Sequence, residues 1–235
     1  MKEGVDNMLL ANGRDCLYLV WKEPHSRRQY VVGELEKNGG YTFRYCQEVM
    51  AAAQKGFSPL VSFPDWDKTY TSEVLFSAFS SRLPDKKRKD IPQILNKYGL
   101  EEYDAYLLLK KGGAKLPIDT LEFIDPILDL EKPLQRSFYI AGARYYLGCE
   151  GEDCVKAVDV ATGDSVVLRW EQDNPYDENA VQVLDKAGTL LGYIPRYYSA
   201  GVCKLLETRH VDCMICQVDK DKRCNECIKL TLKTN

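Results

Sequence analysis

RWEQDNPYDENAVQVLDKAGTLLGYIP, residues 169–195, is the stretch from which the fold of the second half of the chain is predicted. It contains the cluster Asn174-Pro175-Tyr176-Asp177. In such a cluster Asn and Asp cap the backbone and Pro restricts one φ angle, so a turn is expected. Residues 180–184 and 189–194 read as strands, separated by a turn at 185–188. The stretch therefore predicts a hairpin that begins with an elaborate turn.

The segments around this hairpin extend the same pattern. Further strands are predicted at residues 137–143, 155–160, 165–170, 211–218 and 228–232, with a single helix at 198–208. Short strands at this spacing are typical of a closed or nearly closed β-barrel. The second half of the chain is therefore predicted to be mainly β, with one or two helices.

The first half has a different periodicity. Strands are predicted at 16–21, 29–35 and 41–45, a helix at 47–55, and an extended segment at 57–63. From residue 71 apolar residues recur at spacings of three and four, which predicts amphipathic helices at 72–79, 88–98 and 101–111. Gly99 and Gly112-Gly113 are expected to end the last two helices. The first half is therefore predicted to be an α+β module.

The two halves are joined by a charged segment at residues 125–136, DPILDLEKPLQR, which contains two prolines and reads as a connector. A boundary near Lys132 gives two domains, residues 1–131 and 132–235. No apolar run is long enough to span a membrane and the start has no signal-peptide core, so a cytoplasmic protein is expected. The nine cysteines are then expected to be reduced thiols or part of a metal site.

The charge of the second half restricts how it can hold nucleic acid. Residues 137–235 contain 12 Lys and Arg against 15 Asp and Glu, and the whole chain carries a formal charge of -3. A protein that clamps duplex DNA needs a clustered basic face. Any nucleic-acid site in this half must therefore rely on aromatic and hydrogen-bonding groups with few cations.

Three motifs in the second half, ARYY at 143–146, NPYDENA at 174–180 and LGYIP at 191–195, resemble the signature of the HIRAN domain. The resemblance covers roughly residues 138–232. It implies a compact barrel related to the OB-fold that binds single-stranded DNA at its 3'-hydroxyl end, as in fork-remodelling helicases, and hence a role in DNA repair. The partner implied is a single-stranded DNA 3' end.

The residue types in these motifs suit that ligand. Tyr145 and Tyr176 offer aromatic faces on which bases stack. Arg144 and Arg196 are forked cations that suit one or two phosphates. Ionised Asp177 only accepts hydrogen bonds, so it repels phosphate and favours a hydroxyl donor. By resemblance, Arg144 and Tyr145 grip the terminal nucleotide and Asp177 accepts the hydroxyl hydrogen bond.

Two further positions complete the predicted site. By resemblance Asn174 lines the pocket with Tyr176, and Tyr193 contacts the nucleotide, although the eukaryotic pattern favours histidine at that position. Alternatives stay open. Asn174 and Asp177 can serve as turn caps without any ligand, and one of the two tyrosines in ARYY is structural if that segment is a strand.

The first half is similar to the amino-terminal subdomain of HipA-type toxin kinases over roughly residues 15–126. The similarity rests on VVGEL, GGYTFRY, GFSPLVSFP, YTSEVLFSAFSSRLPD and NKYGL. It implies an interaction module of the kind that contacts an antitoxin. The chain contains no Gly-rich phosphate loop and no kinase catalytic loop.

The cysteines allow a zinc site as an alternative. Cys213-x-x-Cys216 and Cys224-x-x-Cys227 form two CxxC units, but the seven-residue spacer is short for a zinc site built from two such units. In addition, Cys213 and Cys216 would face opposite sides of a regular strand. Buried or reduced thiols are the default expectation, with no cofactor and no metal.

The function expected from these patterns is non-catalytic binding of nucleic acid, most directly of a single-stranded DNA 3' end. Two alternatives stay open. The first is a protein-interaction adaptor of a toxin–antitoxin-like or DNA-processing system, with a protein partner on the amino-terminal module. The second is an accessory subunit of a helicase or nuclease.

Overall fold

The computed structural model describes residues 15–46, 48–117, 119–147, 159–219 and 226–235. Contacts within the chain divide it into two compact units, with the division between Pro126 and Ile127. Below, the amino-terminal unit is the part that ends at Pro126 and the carboxy-terminal unit is the part that begins at Ile127. None of the described helices is long and apolar enough to cross a membrane.

The amino-terminal unit is built on an antiparallel sheet of five strands. In chain order the strands are β1 (Cys16–Lys22), β2 (Gln29–Lys37), β3 (Tyr41–Tyr45), β4 (Tyr70–Ser72) and β5 (Leu121–Ile124). Their order in the sheet is β4-β3-β2-β1-β5. Six consecutive side chains of β1 are buried, so both faces of this strand are covered. The three strands predicted first are confirmed, whereas β5 was not predicted.

Four helices accompany this sheet. They are α1 (Glu48–Ala53), α2 (Ser77–Ser80), α3 (Ile91–Tyr98) and α4 (Ala105–Gly112). Pro92 lies in the first turn of α3, and Gly99 ends that helix in the left-handed conformation with φ 61°. The carboxylate of Asp104 caps α4 by accepting the Leu107 N–H at 3.0 Å. Gly113 ends α4 with φ 69°, as the glycine pair predicted.

The predicted helix at residues 72–79 is wrong over most of its length. Residues 70–72 form β4, which pairs with β3, and only the four residues of α2 are helical. The apolar spacing of three that suggested a helix instead places Phe76 and Phe79 against the core. Strand pairing explains only Ser72, whose backbone groups are satisfied by β3, whereas residues 73–76 form neither helix nor strand.

Aromatic rings form the core of the amino-terminal unit. Phe43 on β3 is fully buried, and its ring centroid lies 4.5 Å from that of Phe63 and 5.2 Å from those of Tyr45 and Phe79. The Phe43 ring also lies 2.6 Å from the position of a Cβ at Gly33, so a larger residue on β2 would displace it. Edge-to-face ring pairs of this kind add to the free energy gained by burial.

The carboxy-terminal unit contains two three-stranded antiparallel sheets. Its strands are β6 (Leu134–Tyr139), β7 (Val167–Trp170), β8 (Val181–Leu184), β9 (Leu190–Tyr193), β10 (Asp212–Val218) and β11 (Ile228–Thr234). One sheet has the order β10-β11-β6 and the other β7-β8-β9. Two helices, α5 (Ala143–Tyr146) and α6 (Arg196–Thr208), complete the described part of this unit.

Two isolated bridges join the edges of these sheets. Ala141, just after β6, pairs with Tyr193 on β9, and Ser165, just before β7, pairs with Met214 on β10. The six strands therefore form a ring, as in a small barrel. This confirms the predicted fold class, which is an α+β amino-terminal module followed by a mainly β, OB-like barrel with one or two helices.

Three predictions in this unit need correction or lie outside the description. The strand predicted at 137–143 ends at Tyr139, and ARYY is the helical turn α5, because Gly142 with φ 76° turns the chain at that point. The predicted connector is shorter than expected, since β6 begins at Leu134. Of the strand predicted at 155–160, residues 155–158 lie outside the described residues, and 159–160 are not strand.

Candidate nucleic-acid interface

The turn between β7 and β8 is held by the side chain of Asn174. Its Oδ1 accepts hydrogen bonds from the backbone N–H groups of Tyr176 at 2.9 Å and Asp177 at 3.1 Å. This is the Asx-turn geometry expected of Asn in such a position. Asn174 therefore acts as the cap that the sequence left open, and its role in ligand binding stays a prediction.

Two tyrosine rings project from hydrogen-bonded turns in this unit. Tyr176, on the capped turn, is 81% exposed, and Tyr145, on α5, is 77% exposed. Within the described part of the chain neither side chain takes part in a hydrogen bond, ion pair or ring contact. Large exposed aromatic rings are a feature of binding surfaces, because water solvates them poorly. Both predicted stacking residues are therefore available to a ligand.

Asp177 links the turn to α6. Its Oδ1 accepts the backbone N–H of Asn179 at 3.0 Å, and its Oδ2 accepts the hydroxyl of buried Ser199 at 3.0 Å. A carboxylate can accept about four hydrogen bonds in total. Asp177 therefore caps the turn, and its carboxylate can still accept a hydrogen bond from a ligand.

Glu171, which the sequence did not single out, connects the turn to β9. Its Oε2 accepts the Asn174 Nδ2–H at 2.7 Å and the Tyr193 hydroxyl at 2.8 Å. The hydrogen bond from Asn174, followed by that from Tyr193, lowers the pKa of the Glu171 carboxyl. Desolvation and the hydrogen bond to Glu171 raise the pKa of Tyr193. The Tyr193 hydroxyl proton is therefore already donated within the protein.

The helical turn α5 is fastened to the same strand. Ala141 and Tyr193 exchange two backbone hydrogen bonds, at 2.8 and 2.9 Å. Gly192 has φ 153°, and a Cβ there would lie 2.5 Å from the Ala141 carbonyl oxygen, so only glycine permits this approach. The Tyr146 ring packs on the Tyr193 ring with centroids 5.5 Å apart. Tyr193 therefore joins α5 on one side to Glu171 on the other.

The predicted cations lie at the start of two helices. Arg144 is exposed on α5, and Arg196 is exposed as the first residue of α6. Arg169 on β7 was not predicted, and its Nε–H donates to buried Gln182 at 2.9 Å. These three arginines add some positive charge but do not form the extended basic face that a duplex clamp requires.

The structure therefore places the seven predicted site residues on elements that backbone and side-chain contacts connect. Asn174, Tyr176 and Asp177 share one turn, that turn bonds to Tyr193 and α6, and α5 carries the remaining tyrosine and its arginine. Glu171, Gln182 and Ser199 were missed. Two of them, Glu171 and Gln182, lie in the stretch 169–195, which was the only indication that the sequence offered. The hydrogen-bond partners of single polar residues in a strand or helix cannot be read from sequence, because they depend on which segments pack together.

The described cysteines do not gather around a common point. Cys213 and Cys216 both lie on β10, where Cys213 is buried and Cys216 exposed, as expected for opposite faces of a strand. Burial raises the pKa of the Cys213 thiol to about 12. Cys149, Cys154 and Cys224 lie outside the described residues. Within the described ranges no three His, Cys, Asp or Glu side chains are placed to hold a metal ion.

Two family models match separate parts of the chain. Residues 135–234 match the family model of the HIRAN domain, and residues 27–117 match that of the HipA N-terminal domain. No curated protein matches the chain. HIRAN domains are known for binding single-stranded DNA, so the match supports nucleic-acid binding by the carboxy-terminal unit.

Two solved structures are similar to part of the chain. The crystal structure of the HIRAN domain of human HLTF is 18% identical, with a TM-score of 0.31, covering 43% of this chain and 71% of that one. A crystal structure of a protein from Lactobacillus plantarum is 21% identical, also with a TM-score of 0.31, covering 44% of this chain and 100% of that one. Residues 135–234 are therefore similar to the HIRAN domain, and residues 27–117 are similar to the HipA N-terminal domain.

Proposed function

We propose that this chain binds single-stranded DNA at its free 3'-hydroxyl end, through the HIRAN domain, and holds that end without reacting with it. The observation that carries the proposal is the pair of exposed rings, Tyr145 and Tyr176, on two turns that hydrogen bonds attach to the same strand, β9. Because hydrogen bonds already order the backbone beneath each ring, stacking on a base needs to order mainly the torsions of the tyrosine side chain.

Asp177 supports recognition of a hydroxyl rather than a phosphate. Its two oxygens are oriented by Asn179 and Ser199, so the carboxylate is fixed in place next to the exposed Tyr176 in sequence. A fixed negative charge accepts a hydrogen bond from a sugar hydroxyl and repels a terminal phosphate. A 3'-phosphate is therefore expected to weaken binding.

The low positive charge of the domain supports binding at an end rather than along a strand. Arg144 and Arg196 suit one or two phosphates, and acidic residues outnumber basic ones in residues 137–235, 15 to 12. For single strands the logarithm of the binding constant falls by roughly 0.7 per phosphate contact for each unit of log salt. Two contacts give a slope of about -1.4, which is shallow for a DNA-binding protein.

The proposal is tested by fluorescence anisotropy of the full chain with a labelled single-stranded DNA of about ten nucleotides. The same oligonucleotide is compared with a 3'-hydroxyl and with a 3'-phosphate, each at two salt concentrations. The expected result is binding that the phosphate weakens, with a shallow salt slope. Equal binding of both ends would contradict end recognition.

The variant Asp177→Asn sharpens this test. Asparagine keeps an acceptor for Asn179 or Ser199 but carries no charge. If the carboxylate excludes the phosphate, the variant should lose most of the preference for the 3'-hydroxyl while still binding the strand. An unchanged preference would place the selectivity elsewhere.

A second candidate function is a protein-interaction adaptor, which the HipA N-terminal domain match over residues 27–117 favours. In that part of the chain Val61, Val74 and Met50 are exposed by 98%, 72% and 57%. Affinity purification of the full chain from its native cells, beside a Val61→Asp/Val74→Asp variant, tests this function. A partner retained by the native chain and lost from the variant is the expected result, and recovery of the same partner with both would count against it.

A further inference from the structure

The contacts of Glu171 explain how the two segments that carry the exposed tyrosines are held in a fixed arrangement. One carboxylate oxygen, Oε2, accepts hydrogen bonds from both Asn174 and Tyr193. Asn174 organises the turn that presents Tyr176, because its Oδ1 caps two backbone N–H groups there. Glu171 therefore contacts the turn through Asn174, the residue whose side chain shapes that turn.

Tyr193 makes the corresponding contact on the other side. Its backbone pairs with Ala141 immediately before α5, and its ring packs on that of Tyr146. The phenol completes this set by donating its proton to Glu171. The two tyrosine-bearing segments, separated by about 30 residues in sequence, are thus linked through a single oxygen atom.

The polar groups around Glu171 favour its ionised form. Hydrogen bonds from Asn174, Tyr193 and Gln182 and the positive charge of Arg169 each lower the pKa of the carboxyl, whereas desolvation raises it. Gln182 is itself buried and accepts from Arg169 at 2.9 Å. Arg169 is exposed and Glu171, Asn174 and Tyr193 are half-buried, so the network is partly open to solvent, but each member has a partner that restricts its position.

We infer that Glu171 is a positioning residue of the DNA site, which sets the separation of Tyr145 and Tyr176, and that Tyr193 acts in the same way rather than as a nucleotide ligand. This inference rests on the proposed function for the identity of the ligand. It makes a prediction of unusual sign, because Glu171 carries a negative charge and DNA is an anion.

Removal of a negative charge near bound DNA should by itself leave the affinity unchanged or raise it. If Glu171 positions the tyrosines, Glu171→Ala should instead weaken binding of the ten-nucleotide strand about 10-fold, as expected when a charged hydrogen-bond acceptor is removed. Glu171→Gln keeps an oxygen that can accept from Asn174 and Tyr193, so its affinity should equal or exceed that of the native chain. Tyr193→Phe, which loses only one of the bonds, should fall between the two.

Glu178→Ala is the matched control. Glu178 is an exposed acid in the same turn, and its backbone carbonyl, which accepts from Trp170 at 2.9 Å, is retained in the variant. This change removes the same charge without disturbing the contacts of Glu171. Its affinity should stay equal or rise. A Glu171→Ala affinity that matches that of Glu178→Ala would overturn the inference.

A second measurement tests the positioning role without DNA. In nuclear magnetic resonance spectra of the full chain, the side-chain amide of Asn174 and the backbone amides of Tyr176 and Asp177 should shift in Glu171→Ala and stay near their native positions in Glu171→Gln and Glu178→Ala. If the native chain binds no DNA, the proposed function fails while these shifts still decide the inference. Native-like shifts in Glu171→Ala would overturn it even if DNA binds.

Discussion

The two units differ in whether they expose aromatic rings. In the amino-terminal unit the described aromatic rings are buried or half-buried, and several pack edge to face around Phe43. In the carboxy-terminal unit three rings are exposed, those of Tyr145, Tyr146 and Tyr176, and they are the only exposed aromatic residues among those that the structure describes. Aromatic rings therefore pack in the core of both units, as Phe138 and Tyr198 do in the carboxy-terminal one, but among the described residues only that unit also exposes rings at its surface.

The difference follows from what holds each ring. Phe43 packs against other rings, so its contribution to the free energy of folding comes from burial of apolar area. Tyr176 is held by the backbone, because Asn174 caps the turn on which it stands. An exposed ring contributes little to folding, so a change at Tyr176 is expected to have little effect on stability.

The largest effect expected from this comparison is on stability. Phe43→Ala should lower the free energy of unfolding by about 3–5 kcal/mol, because a large core side chain is removed and a cavity is left. Urea unfolding followed by circular dichroism measures this loss. A loss below about 1 kcal/mol would mean that the ring is not a central packing element.

A smaller effect is expected on binding. Tyr176→Ala and Tyr145→Ala should each weaken binding of single-stranded DNA by about 1–3 kcal/mol, the range for loss of one base-stacking ring. Neither change should alter the unfolding midpoint, since both rings are exposed. Anisotropy titrations and urea unfolding of the same samples separate the two effects.

Met214→Ala provides the control for those variants. Met214 is an exposed apolar residue on β10, in the other sheet of the same unit. Its replacement should leave both affinity and stability near native values. If it weakens DNA binding as much as the tyrosine variants do, the surface is generally adhesive and the two tyrosines have no special role.

The smallest effect expected is a loss of stability at low pH, which compares the carboxyl groups of Glu23 and Glu171. Glu23 begins the β1–β2 connection, and its carboxylate accepts the backbone N–H groups of His25, at 2.9 Å, and Ser26. The hydroxyl of Ser26, followed by these N–H groups, lowers the pKa of Glu23 from 4.5 to about 2. Because the folded-state pKa is the lower one, the stabilising contribution is complete above about pH 4.5 and is lost as the pH falls towards 2.

The measurement is the unfolding midpoint of the native chain and of Glu23→Gln between pH 7 and 2. The variant should be less stable at neutral pH, and the gap should close as the pH falls below 4.5. Glu101→Gln, at an exposed position, should show no such gap. The carboxyl of Glu171 should likewise titrate below its ordinary range, and Asn174→Ala should move its pKa upward.

Much of the fold could be predicted because its signals are local. The strands β1 to β3 followed from short apolar and aromatic runs, and the ends of α3 and α4 followed from Gly99 and Gly113, whose positive φ angles ordinary residues avoid. The errors occurred where a distant partner decided the outcome. The helix predicted at residues 72–79 fails at its start, where Ser72 pairs with β3, and β5 exists because β1 offers it an edge.

The sequence by itself determined the capped turn, since Asn174 bonds to residues two and three positions ahead and requires no other part of the chain. It also determined which residue types, tyrosine, arginine and carboxylate, are available near that turn. Only the tertiary structure decided that Glu171 meets Tyr193, 22 residues away, because the pairing of β7, β8 and β9 brings them together. Strand pairing sets such distances through hydrogen bonds between remote segments, and residue identity alone does not specify their register.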